Sequence, residues 1–315
     1  RKWNIDDVRE DAKRFRPDLV VVDTNFSCLS NDIDIANQLK EATNAMSVMV
    51  GPPVSQFTER ILNDGVDIAA RFEFDFTLRD VTEAIENGSP LKDIKGIWYK
   101  DNGSIVHNED RKLISSSELD EIPFVSRVYN DHLNIKNYFL NHALYPTVQI
   151  FTGRGCPNFC TFCSWPETLM GRKYRIRSVE NVVDEFEYVR NELPVKEIFI
   201  EDDAFTLSKR RIVQFCEELK RRKIETTWSC QSRATLDYDT MKIMKSAGCR
   251  LLDVGYESGN DNILNNIKKG VTVRQLRSFT NNAKKAKLKI LADFVIGFTG
   301  ETKETAEQTI KFIQE

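Results

Sequence analysis

FTGRGCPNFCTFCSWPE, residues 151–167, gathers Cys156, Cys160 and Cys163, three of the chain's seven cysteines. The stretch overlaps TVQIFTG (147–153), which reads as a strand, so the thiols leave a strand's carboxyl end in one loop. Spacing this tight lets three sulfurs wrap a single metal centre. A structural zinc site takes four ligands, and a closed four-iron cluster takes four thiolates. Three thiolates keep one iron of a [4Fe–4S] cluster open for an outside ligand, and that incompleteness itself reads as the function. Zinc completed by a distant fourth ligand, and three unrelated loop cysteines, are the competing readings. Cys216, Cys230 and Cys249 lie in or beside apolar patterns and read as buried small hydrophobes.

Outward from the loop, strand and helix patterns alternate on both sides. Downstream, strands are expected at 195–203, 224–230, 249–255 and 289–298, with helices at 178–191, 209–222, 238–247, 272–286 and 303–314. Five βα units in series describe a barrel or part of one, with active sites at the carboxyl ends of its strands. Upstream, DLVVVD (18–23), SVMVG (47–51) and VDIAAR (66–71) are apolar runs suited to buried parallel strands. Helices at 31–43, 55–65 and 76–88 accompany them, which describes a doubly wound α/β domain. A DNG turn within GIWYKDNGSIVHN (96–108) predicts a hairpin. Residues 109–147 lose the rhythm and are expected as a connector that helps cover the barrel mouth. RKWNIDDVREDAKRFRPD at the start reads as helix and turn, where such a domain opens on a strand. A first strand and a last barrel unit are therefore expected to be missing.

A length of 315 residues fits two domains or one large barrel. With 41% hydrophobic and 30% charged residues the composition is that of an ordinary soluble protein. The net charge of −3 gives no whole-chain footprint for nucleic acid. SKRR (208–211) and KRRK (220–223) fall at helical spacing and read as a solvated helix face. The absence of a long apolar run, a signal peptide or a disulfide framework predicts a cytoplasmic location, with peripheral membrane contact left open.

CPNFCTFC resembles the CxxxCxxC signature of the radical S-adenosylmethionine (SAM) superfamily, with the aromatic Phe162 before the last cysteine. The resemblance implies a [4Fe–4S] cluster on Cys156, Cys160 and Cys163 whose open iron chelates SAM, cleaved by one electron to a 5′-deoxyadenosyl radical. FIEDDAFT (199–206) stands where the superfamily has a glycine-glycine-glutamate segment, so Glu201, Asp202 or Asp203 is implied to bind the SAM amine. SCQSRA (229–234) puts Gln231 and Arg233 in reach of the SAM carboxylate or ribose. VGYESG (254–259) supplies Glu257. GFTGET (297–302), with Gly297 and Gly300, resembles the loop that cradles the adenine and methionine portions. Taken singly, Arg233 reads as a surface ion-pair partner, Glu257 as a helix cap and the glycines as turn residues.

The front domain resembles the cobalamin-binding domain of one branch of that superfamily. Ser27 and Leu29 in TNFSCLSN match a Ser-x-Leu loop, and Gly51 in VGPPVS retains the first of two glycines, with Pro52 replacing the second. These loops are implied to surround the nucleotide tail of cobalamin. Phe72 and Phe74 stand where the branch commonly has glycine. RKYRIRSVENVVDE (172–185) and LLDVGYESGNDNILNNIKKG (251–270) look like the subgroup of the anaerobic magnesium-protoporphyrin IX monomethyl ester cyclase and the hopanoid-associated radical SAM proteins.

The expected organisation is a Rossmann-like cobalamin-binding domain with hairpin over 1–108, a connector over 109–147, and a partial (β/α)6 TIM-like radical SAM barrel over 148–315. The implied activity is methyl transfer, cyclisation or ring rearrangement on a small molecule or lipid headgroup. Flavodoxin or ferredoxin is the implied reductant, and nucleic acid is not an expected partner. A non-catalytic cobalamin or metal carrier is one alternative, and a methylthiotransferase acting on RNA or protein is another.

Overall fold

The computed structural model describes residues 4–315. The described chain packs as two units, one running to Ile114 and including Ser164–Gly171, the other comprising Ser115–Cys163 and Arg172–Glu315. Positions 1–3 of the expected opening helix lie outside the described residues.

The first unit begins with α1 (Ile5–Phe15), started by a reciprocal Asn4–Asp7 capping box. There follow β1 (Leu19–Asp23), α2 (Leu29–Thr43), β2 (Met46–Val50), α3 (Thr58–Asn63), β3 (Ile68–Ala70) and α4 (Asp75–Asn87). The hairpin β4 (Ile97–Asp101) and β5 (Ser104–His107) completes one sheet, ordered β1-β2-β3-β4-β5. Alternate residues of the strands feed two separate cores. Met49 and Ala69 pack with Ile33, Ala36 and Ile61 of α2 and α3, while Val48, Val50 and Ile68 pack with Val81 and Ala84 of α4. A sheet covered on both faces needs continuous apolar runs, and that is how its strands read.

One expectation for this unit is corrected below. The described strands follow one another in chain order, with helices on both faces of the sheet. Helix α4 reaches the second face because it leads into antiparallel β4, where the handedness rule for parallel crossovers does not apply. The helix expected at 55–65 starts only at Thr58, because Pro52–Ser55 forms a separate 3-10 turn.

The second unit opens with two short helices, α5 (Ser116–Leu119) and α6 (Val125–His132), inside the stretch expected as plain connector. Strand β6 (Thr147–Ile150) leads to a two-residue ribbon, β7 (Gly153–Arg154) with β8 (Arg175–Ile176). Then come α7 (Val179–Glu192), β9 (Glu197–Ile200), α8 (Lys209–Arg221), β10 (Trp228–Ser232), α9 (Tyr238–Ser246) and β11 (Cys249–Glu257). The chain continues through α10 (Asp261–Asn266), α11 (Val273–Lys285), β12 (Lys289–Phe294) and α12 (Lys303–Gln314).

The large sheet is ordered β12-β11-β10-β9-β6, with every pair parallel. Right-handed crossovers that step in one direction place their helices on one face. That face holds the core, centred on Phe186, Phe205, Phe215 and Trp228 in edge-to-face contact. Cys216, Cys230 and Cys249 are buried in it. The described residues hold five strands of the expected six-unit barrel.

Strand β10 starts four residues later than expected. Helix α8 ends in a Schellman motif: Ile224 N–H donates to Leu219 and Lys223 N–H to Lys220, with Lys223 left-handed at φ 57°. The apolar Ile224 therefore closes a helix instead of opening a strand. The connector also seats differently. Leu144 N–H donates to Glu197 at 2.6 Å, and Arg250 bridges Glu197 and the His142 carbonyl. Glu197 and Arg250 begin β9 and β11, so residues 142–144 lie at the strands' amino ends, whereas Ser116 accepts from Ile176 N–H and Asp120 from Ser178 N–H beside β8.

Candidate active site

The carboxyl ends of the five parallel strands collect the residues singled out from the sequence. After β6 the chain runs irregularly through Gly155–Cys163, and the three cysteines there are half-buried. Cys163 N–H donates to the Cys160 carbonyl at 3.2 Å, and Asn158 Nδ2 lies 3.1 Å from Cys156 Sγ. Thr161 N–H reaches the Ile267 carbonyl at 3.0 Å, tying the loop to the end of α10. Arg172 donates to the Asn158 carbonyl and lays its guanidinium over the Phe159 ring. Among the described residues, no three Cys, His, Asp or Glu side chains already stand together as a metal cage. The donor set is nevertheless three cysteine sulfurs on one loop, which is the chemistry a cluster needs.

The acids after β9 divide by environment. Asp202 has no exposed surface; it accepts from Thr152 N–H at 2.5 Å and Thr152 Oγ1 at 2.6 Å, with the Arg211 guanidinium 3.8 Å away. Burial raises its pKa against the opposing pull of Arg211. Arg211 is itself buried and also donates to the Thr152 carbonyl. Asp202 and Arg211 thus brace the entrance to the cysteine loop. Asp203 accepts from Gly155 N–H at 2.9 Å, and burial pushes its pKa up to about 6. Glu201 receives the Gln149 amide at 2.5 Å, and burial raises its pKa also.

Further along the sheet, Arg233 donates to the Lys269 carbonyl at 2.8 Å, a backbone contact in place of the surface ion pair. Glu257 is buried and paired with Lys269 Nζ at 2.7 Å, and its φ of 65° is left-handed at a register shift in β11. A non-glycine residue held there stores strain of the kind that gathers at functional sites. Gln231 is half-buried on the helix-free face. Gly297 and Gly300 both take positive φ in the loop after β12. That loop meets the cysteine loop through Phe298 and Phe162, whose ring centroids are 5.0 Å apart.

Sequence reading missed several polar residues of this unit. Asp253, Asp293 and His142 belong to the same helix-free face and lie far apart in the chain. For Asp253 and Asp293 the available signal was a charged residue interrupting an apolar strand. Arg211 was read as part of a solvated basic run, although it shares a helix face with Phe215 and Leu219. The rest of that run behaves as expected, with Lys209, Arg221 and Arg222 paired to surface acids.

In the first unit, Ser27 is exposed in the turn after β1, while Leu29 is buried in the core. What Leu29 offers a ligand is therefore backbone alone. Gly51 follows β2 at φ 111°, and an added Cβ would stand 2.3 Å from the Thr24 carbonyl oxygen. Only glycine fits that approach of two loops. Phe72 keeps a left-handed φ of 57°, the conformation a glycine adopts freely, with a bulky ring in its place.

Residues 150–313 match the family model of the radical SAM superfamily. An uncharacterised methyltransferase of Pyrococcus horikoshii is 34% identical over 310 residues, covering 97% of this chain and 66% of that protein. The anaerobic magnesium-protoporphyrin IX monomethyl ester cyclase of Cereibacter sphaeroides is 25% identical over 319 residues, covering 96% and 50%. The chain thus spans between half and two thirds of the length of these curated relatives. The radical SAM methyltransferase TsrM of Kitasatospora setae, solved with cobalamin and a [4Fe–4S] cluster bound, superposes with a TM-score of 0.82 at 18% identity. That superposition covers 98% of this chain and 62% of TsrM.

Proposed function

Because the chain belongs to the radical SAM superfamily, we propose that it is a SAM-cleaving enzyme of the cobalamin-dependent methyltransferase or cyclase type. In this reading Cys156, Cys160 and Cys163 hold a [4Fe–4S] cluster, and the activated substrate is a small molecule or a lipid-linked group. The observation that carries it is three cysteines on one loop at the carboxyl end of β6, braced by Asp202 and Arg211. When bound, the cluster, SAM and cobalamin supply the electron, the 5′-deoxyadenosyl radical and a transferable methyl group.

The chain's own residues bind, orient and shield. Asp202 has its oxygens engaged by the loop, which leaves Glu201 and Asp203 as the acids able to take the SAM ammonium by a charge-assisted hydrogen bond. Gln231 and Arg233 follow on β10 for the carboxylate or ribose, and Glu257 on β11 for a hydroxyl. Phe162 and Phe298 form an apolar wall beside the thiols and keep water from a reactive radical. In the first unit, Ser27, the backbone at Leu29 and Gly51 are the positions that support cobalamin.

The test is anaerobic reconstitution of the full-length protein with iron and sulfide, then hydroxocobalamin, then dithionite and SAM. A [4Fe–4S] absorbance, a retained corrin spectrum and 5′-deoxyadenosine are expected, and Cys160→Ala should lose both the cluster and 5′-deoxyadenosine. A loaded cluster with no 5′-deoxyadenosine would favour the carrier reading. Cleavage without a retained corrin would leave a radical SAM enzyme whose front unit is structural.

A further inference from the structure

The helix-free face of the parallel sheet carries a polar group below the loops at the strand ends. Asp253 of β11 is at its centre. Its Oδ2 lies 4.0 Å from Nε2 of His142. Its other oxygen and that Nε2 are buried without a hydrogen-bond partner. The Ser229 hydroxyl is likewise unpartnered, in a residue with no exposed surface. Its chain neighbours Trp228 and Cys230 enter the helix-side core, so Ser229 faces the other way, one step below Gln231, the register partner of Asp253. Folded interiors rarely leave such atoms unpaired without reason, and here they come from three separate elements.

Their chemistry is one-sided. His142 Nδ1 lies 3.1 Å from Asn141 Oδ1, an acceptor, so Nδ1 carries the proton and Nε2 presents a lone pair. Burial lowers the pKa of that ring and favours its neutral form. Asp253 is raised to a pKa of about 7 by burial first and then by Asp293 on β12, with Glu201 adding to the same field. Tyr129 of α6 faces Glu201 and brings no positive charge. Arg250, the cation at the lower end of the strands, is engaged by Glu197 and the His142 carbonyl. Asp253, His142 and Ser229 thus present acceptors, while Arg250 is held by Glu197 and Arg233 by the Lys269 carbonyl.

We infer that this face is a substrate subsite for a positively charged nitrogen, an ammonium or amidinium group, held between Asp253 and His142. A nitrogen about 2.8–3.0 Å from each atom spans their gap with two N–H bonds. Its charge lies against Asp253, which gives up its proton as the guest enters. The Ser229 hydroxyl remains to accept a further N–H.

The inference deepens the enzyme reading by giving the substrate a chemical class, and it is testable without turnover. Benzylammonium is the probe and benzyl alcohol its neutral counterpart, each titrated by ligand-observed NMR into the cluster-loaded full-length protein. Benzylammonium should bind at least about tenfold more tightly than the alcohol, and Asp253→Asn should weaken it by about the same factor. Affinity for benzylammonium should also rise between about pH 6 and pH 8, as Asp253 gives up its proton unaided. Equal binding of both probes, binding of neither, or an unchanged Asp253→Asn overturns the inference. If that variant does not fold, a flat pH profile in the unsubstituted protein, or full affinity in Ser229→Ala, overturns it instead. Formation of 5′-deoxyadenosine in the same preparation reports separately on the enzyme reading. Cleavage without amine preference sinks the subsite alone; amine binding without cleavage sinks the SAM reading alone.

Discussion

Arg211 illustrates how much a single charge decides in the parallel-sheet unit. It is the buried cation facing a carboxylate with no exposed surface, and it also donates to the carbonyl that starts the cysteine loop. Arg211→Met should leave Asp202 without its countercharge and cost about 3–5 kcal/mol, read as a lowered denaturation midpoint. Asp202→Asn in the same background should recover part of the loss. Asp253 gives a prediction of opposite sign. Burial first, then Asp293, carries its pKa up to about 7. An acid whose folded pKa is raised holds its proton more tightly when folded. Its contribution to stability is therefore full below the unfolded value of about 4 and lost as pH rises through 7. Relative to the parent, Asp253→Asn should gain stability steadily between about pH 4 and pH 7 in thermal melts and hold that gain near pH 8.

These residues also mark where the sequence ceased to be legible. The cysteine loop stood out because its three ligands are neighbours in the chain, and Cys216, Cys230 and Cys249 because their surroundings were apolar. Asp253 and Asp293 meet only because β11 and β12 lie side by side, a relation that no local pattern carries. His142 reaches the same place from a connector with no rhythm. Arg211 was hidden by its own neighbours, since a run of basic residues looks solvated until the apolar positions four and eight residues on are counted with it.

At the scale of the element, helix endings account for the misplaced boundaries. Ile224 was read as strand because apolar residues before a tryptophan invite it, yet it completes the Schellman motif of α8. Lys223 supplies the left-handed residue of that motif at some steric cost. Lys223→Gly should stabilise the protein by up to about 1 kcal/mol, measured as a rise in melting temperature. The capping box that opens α5, Ser115 with Glu118, was present in the sequence as SSSEL and would have revealed a helix in the connector. Helix α8 also presents Phe215 to Phe186, Phe205 and Trp228. Phe215→Ala should cost about 3–5 kcal/mol, since aromatics on three sides are poorly able to close the cavity.

For the whole molecule, the division into two units separates the proposed cofactor duties. The cysteines and the acids after β9 belong to one unit, whereas Ser27, Leu29 and Gly51 belong to the other. Gly51→Val places a branched side chain where a single Cβ already meets the Thr24 carbonyl. It should abolish retention of a corrin spectrum while leaving iron loading at the parent level, and loss of both together would contradict the separation. The broad plan was legible because parallel strands covered on both faces write themselves as apolar runs. The strand order was not, because two sheets with the same run of elements differ only in which neighbour each strand chooses.

In the parallel-sheet unit that choice is always the preceding large strand, from β6 through β9, β10 and β11 to β12. Each strand emerging from the ribosome finds its partner already made, and no edge must wait for a distant segment to be translated. The unit can therefore grow by accretion during synthesis, one βα step at a time, with the cysteine loop anchored to the first strand laid down.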